Sequence, residues 1–134
     1  MKNSALSAEL WLSQAENDLA FAKVALREEF FAQACFNPHQ VAEKALKSLA
    51  YLRGDRYVIG HSLDELVSTL EPTYAQLSQW RDAAGILDTY YVPTRYPNAL
   101  PGSAPFRVYK TDQATEAVAW AGEIVDMARD IVRE

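Results

Sequence analysis

The stretch Phe31-Ala-Gln-Ala-Cys35-Phe-Asn-Pro-His-Gln40-Val-Ala-Glu-Lys-Ala45-Leu-Lys-Ser-Leu-Ala50-Tyr-Leu-Arg53 decides the fold. At about 100° per residue, Val41, Ala42, Ala45, Leu46, Leu49 and Leu52 gather on one side of a helix. Gln40, Glu43, Lys44, Lys47 and Tyr51 gather on the other. Such a split predicts an amphipathic helix from Phe31 to Arg53 that buries one face, with Gly54 closing it. Pro38 lies inside this span and predicts a kink or break near Phe36–Asn37.

The flanking sequence repeats the helical period. Leu12, Ala15, Leu19, Ala22 and Leu26 step by three and four, predicting a first helix from about Ser7 to Glu29. Ala117, Ala121, Ile124, Ala128 and Ile131 predict a last helix from about Asp112 to Arg133. Ser62-Leu-Asp-Glu65 reads as a capping box opening a short third helix to about Leu70. Pro72 suits the start of a fourth, running to about Tyr91. Prolines 93, 97, 101 and 105 make 92–110 a long irregular loop. No alternating strand pattern is present. The class is all-α: one domain over residues 1–134, an antiparallel bundle of four to five helices.

Composition removes several functions. A chain of 134 residues with 49% hydrophobic and 23% charged residues is an ordinary globular domain. The single Cys35 excludes an internal disulfide and a multi-Cys zinc site. Two histidines, His39 and His61, argue against a histidine-rich metal centre, so neither metal nor cofactor is expected. His39 and Glu43 form an i, i+4 pair without a third ligand. The sequence carries no P-loop, dinucleotide glycine motif, membrane-length apolar run or signal peptide, and we expect a cytoplasmic protein. The net charge of −5 argues against general nucleic-acid coating. Yet residues 89–111 carry Arg95, Arg107 and Lys110 with no acid.

Two features are candidate anion sites. Gln40, Lys44 and Lys47 share one stripe of the second helix, where two ammonium groups and an amide could cradle a phosphate. The alternative is a solvated face with Glu43 and Lys47 paired. As exposed, mutually repelling lysines, the pair would add little to folding. In Tyr90-Tyr-Val-Pro-Thr-Arg-Tyr96-Pro, tyrosine rings could stack on a base while Arg95 pairs with phosphate. Alternatively the rings fill the end of the bundle.

The sequence resembles the HEPN domain family. Cys35-Phe36 with Gln40, Glu43-Lys44 and Lys47 is similar to that family's second-helix pattern. Trp11 with Asp18-Leu19, Gly60-His61-Ser62-Leu63, and Tyr90-Tyr91 followed by Thr94-Arg95-Tyr96-Pro97 fit further segments in the same order. The resemblance implies a homodimeric helical bundle that binds nucleotide or RNA. It also implies a minimal nucleotidyltransferase as partner in a toxin–antitoxin module. Gln40, Lys44, Lys47, Tyr91, Arg95 and Tyr96 would form the phosphate and base site. The family's ribonucleases carry Arg-x(4–6)-His before the last helix, the histidine serving as acid/base. No histidine follows Arg95 here, which argues against catalysis. A literal match exists only at Arg56–His61. Two alternatives therefore stand beside the binding protein: a metal-independent ribonuclease using His61 with Arg56 or Arg95, and a dimeric scaffold for the nucleotidyltransferase.

Overall fold

The computed structural model describes residues 2–58, 60–92, 96 and 102–134. Among them are six α-helices: α1 Lys2–Arg27, α2 Phe31–Arg53, α3 Leu63–Leu70, α4 Arg81–Asp88, α5 Pro105–Val108 and α6 Thr111–Val132. No strand occurs among the described residues. α2 is the central element and packs on α1 and α6, which also meet each other; α3 and α4 pack together and on α2.

The packing follows from the apolar stripes. α1 buries Ala8, Leu12, Ala15, Leu19, Ala22 and Ala25, and α6 buries Ala114, Ala117, Val118, Ala121, Ile124, Val125 and Ala128. Alanine dominates both stripes, and the separation of packed helices shrinks with the side chains between them. Leu12, Leu46, Leu49 and Ile124 are fully inaccessible. Each such burial is worth roughly 1.5–3 kcal/mol. Ile131, expected in this core, is only partly buried near the end of α6.

Several expectations change. α1 starts at Lys2, before Ser7, and ends at Arg27, with Glu29 at a positive φ of 64° in the connection to α2. α2 runs unbroken through Pro38. The proline withdraws one backbone donor, and the Asn37 side chain donates to the Gln33 carbonyl beside it at 2.9 Å. α2 ends as expected, at Gly54 with φ 106°, in the left-handed region that glycine enters without a Cβ penalty. The fourth helix does not begin at Pro72. Tyr74 adopts φ −125° and its hydroxyl donates to the Leu49 carbonyl at 3.1 Å, so a 3-10 turn over Ala75–Trp80 precedes α4. Inside the expected loop 92–110, α5 forms with Pro105 at its first turn. The bundle therefore has six helices among the described residues where four to five were expected. No helix among them is long and apolar enough to cross a membrane.

α3 is capped in part by another helix. Ser62 Oγ accepts the Glu65 N–H at 3.2 Å, as its sequence predicts. The Asp88 carboxylate at the end of α4 accepts the N–H groups of Leu63 at 2.8 Å and Asp64 at 3.1 Å. This tertiary cap holds the start of α3 beside the end of α4, which positions the site.

Candidate functional site

The polar side of α2 is not a row of free lysines. Glu43 and Lys47 are both buried and paired, the ammonium donating to Glu43 Oε2 at 2.8 Å. Lys47 also lies 5.6 Å from the centre of the Trp11 ring, and Trp11 stacks on Tyr51 at 5.7 Å. α1 therefore roofs this part of the stripe, and Lys47 lacks the exposure its position on the helical wheel predicts. Lys44 is half-buried and its ammonium donates to the Asp18 carboxylate, which also accepts the Gln14 amide. Gln40 borders the next turn.

Glu43 joins the stripe to the loop after α2. The Nδ1–H of His61 donates to Glu43 Oε2 at 3.0 Å. That bond fixes the ring with Nε2 on its outer edge, and the His61 side chain is 57% exposed. Glu43 Oε1 is buried without a hydrogen-bond partner and sits 4.0 Å from His39 Nδ1. His39 is fully buried; its Nε2–H donates to Asp88 Oδ1 at 3.1 Å, and Nδ1 lies 3.1 Å from Gln40 Oε1. Burial raises the Asp88 pKa, but the His39 bond and the N–H groups of Leu63 and Asp64 outweigh it and hold the carboxyl below its ordinary value. Tyr91 closes the arrangement, with its ring 5.2 Å from His61, 4.9 Å from His39 and 6.1 Å from Phe36. His39, His61, Ser62, Asp88 and Tyr91 line an open cleft of about 270 Å³.

The expected residues divide between places. Tyr91 lines this cleft and Gln40 reaches His39 at its edge, Lys47 is joined to it only through Glu43 and His61, and Lys44 lines a separate opening with Leu10, Trp11 and Gln14. Tyr96 is exposed. Arg95 lies outside the described residues. Arg56 is exposed in a separate cleft between the start of α1 and the loop after α2, with Asn3, Ser4 and Tyr57, whereas His61 lines the first. Cys35 is buried, and burial pushes its thiol up to about 12, which makes it inert at neutral pH. The sequence reading missed His39 and Asp88 as members of the site. The i, i+4 spacing of His39 and Glu43 was a signal for the first; nothing local marks Asp88, 49 positions away along the chain. No three His, Cys, Asp or Glu side chains among the described residues are grouped as a metal ion would require.

The HEPN domain pattern matches residues 8–131, and the chain belongs to the HEPN family. It is similar to TT1696 from Thermus thermophilus, whose crystal structure superposes with a TM-score of 0.87 at 37% identity, covering 92% of this chain and 97% of that one. ST0689, described as an archaeal HEPN homologue, superposes with a TM-score of 0.77 at 31% identity, covering 94% and 98%. A Methanocaldococcus jannaschii protein named "Putative toxin MJ1304" is 25% identical over 95% of this chain and 89% of its own length.

Proposed function

We propose that this HEPN protein is the toxin-type component of a module with a nucleotidyltransferase partner, and that it binds a nucleotide or RNA phosphate beside the His39–His61–Tyr91 cleft. The observation that carries the reading is the cleft in which the His61 ring and Tyr91 stand beside His39, with the Gln40 amide at His39 and Lys44 one turn further along the same stripe of α2. The chain continues from Tyr91 into the acid-free segment of Arg95 and Tyr96. The name of the M. jannaschii relative supports the toxin assignment. Phosphate competes with Asp18 for Lys44, while buried Lys47 acts from beneath and keeps its bond to Glu43. Tyr91 or Tyr96 offers a ring to a base.

The test is a titration with nucleoside mono-, di- and triphosphates and short RNAs. Lys44→Ala should weaken binding several-fold and barely shift the melting temperature, because half-exposed ion pairs contribute about 0–1 kcal/mol. Affinity should also fall as salt rises. Equal affinities of variant and wild type would remove the assignment.

A ribonuclease reading has one observation in its favour. Glu43 holds His61 through Nδ1 and leaves Nε2 outward, as a general base requires. A His61→Ala chain that degrades RNA as fast as wild type, or a wild type without activity, would leave binding alone.

A further inference from the structure

The connection from α2 to α3 is pinned at both ends. After Gly54, the Arg53 guanidinium forks onto Asp55, Nε to Oδ1 at 3.1 Å and Nη2 to Oδ2 at 2.7 Å, and its Nη1 donates to the Thr69 carbonyl at 2.9 Å. At the other end His61 bonds Glu43, and the Ser62 hydroxyl donates to Asp88. Between these anchors Arg56 and Tyr57 are exposed, Tyr57 at 84%. Among the described residues, Arg27, Arg53, Arg81, Arg129 and Arg133 each hold a carboxylate, and Arg56 holds none.

Three clefts adjoin along this connection. The first, of about 360 Å³, lies against the start of α1, where Arg56 and Tyr57 share the lining with Asn3, Ser4 and Ser7. Tyr57 also lines the second, of about 290 Å³, together with Val58, Leu66 and Leu70. Ser62 joins the second to the His61–Tyr91 cleft.

The first cleft has the chemistry of an anion site. Its one lining carboxylate, Asp55, has both oxygens occupied by Arg53. The Arg56 guanidinium, the serine hydroxyls and the asparagine amide are left as donors. Arg56 can pair bidentately with a phosphate, and the exposed Tyr57 ring offers its face to a base. The second cleft differs. It holds Arg53 with Asp55 and Glu65, so it has no spare positive charge, but its apolar side chains suit a base. The arrangement therefore fits a linear strand better than a lone nucleotide. Five residue steps from Arg56 to His61 reach at most about 18 Å. On the order of five stacked nucleotides cover that distance at about 3.4 Å each.

We propose that a single strand of RNA runs along this connection, from the His61–Tyr91 cleft to a subsite where Tyr57 stacks on a base and Arg56 holds a phosphate. The inference rests on the reading of the His61–Tyr91 cleft as a nucleotide or RNA site, and it makes the strand the ligand. Arg56 then grips the backbone some nucleotides away from His61 and shares no reaction with it.

Fluorescence anisotropy with labelled RNA tests the path. Wild-type affinity should climb steeply between a dinucleotide and an RNA of about ten nucleotides, because the longer molecule engages both ends at once. Arg56→Ala and Tyr57→Ala should each weaken the longer RNA by about fivefold or more and remove most of that climb. Arg56→Ala should also lower the slope of log affinity against log salt by about 0.7. Melting temperatures should stay nearly unchanged, since both side chains are exposed. Lys44→Ala should weaken the longer RNA as well. A loss on Lys44→Ala with none on Arg56→Ala or Tyr57→Ala overturns the path and leaves the function proposed above standing. A loss on Arg56→Ala and Tyr57→Ala with none on Lys44→Ala removes that function and the path with it, because the strand is then held at one end only. Equal wild-type affinity for the dinucleotide and the longer RNA also overturns the path.

Discussion

Lys47 shows how neighbours change the meaning of a residue. Its position on the helical wheel is polar, yet the Trp11 ring of α1 lies over it, and Glu43 is buried with it. Removing one member of a buried ion pair leaves an uncompensated charge, a loss of about 3–5 kcal/mol. Lys47→Ala should therefore lower urea stability on that scale, while Lys44→Ala should move it by about 1 kcal/mol or less. A double lysine variant would mix a folding defect with a binding defect, so the two belong in separate chains. Similar losses for the two single variants would show that Lys47 is solvated.

At the scale of elements, the start of α3 separates local from tertiary capping. Ser62 serves the Glu65 N–H, whereas Asp88 serves those of Leu63 and Asp64 and also the buried His39 ring. Ser62→Ala should cost about 0.5–1 kcal/mol, toward the low end of cap losses, because two amides keep their acceptor. Asp88→Ala should cost more, about 2–4 kcal/mol, since it also leaves His39 Nε2–H without its acceptor. Chemical denaturation of both variants gives the comparison, and an Asp88 loss no larger than the Ser62 loss would refute the tertiary cap.

At the scale of the molecule, lowered carboxyl pKa values predict an acid limit. The hydrogen bond from Arg133 is the main cause holding Glu9 and Glu16 below their ordinary values, and it ties the start of α1 to the end of α6. Asp88 is lowered as well, against the effect of burial. A carboxyl that is more acidic in the folded chain adds stability above its unfolded pKa and loses it as pH falls through the folded value. The unfolded chain binds the extra protons in that window, so stability rises with pH there. Stability should be level between about pH 7 and 6 with respect to these groups and decline from about pH 5 downward. Asp88→Asn should flatten part of that decline in denaturation curves taken across the range. An unchanged slope would mean that Asp88 titrates alike in both states.

Helix type, the span of α2, the Ser62 cap and the buried leucines were legible in the sequence, because each depends on a period of 3.6 residues or on contacts within four positions. The family motifs were legible for the same reason, as residue types at fixed spacing. Only the tertiary structure decided that Lys47 and Glu43 go inside, since a wheel shows which side a residue takes but not what covers that side. It alone brought Asp88 to His39 and to the start of α3, and it separated Arg56 from His61 although five positions divide them in the chain. Contacts of that kind are set by how helices cross and where loops return, and a linear pattern holds no record of either.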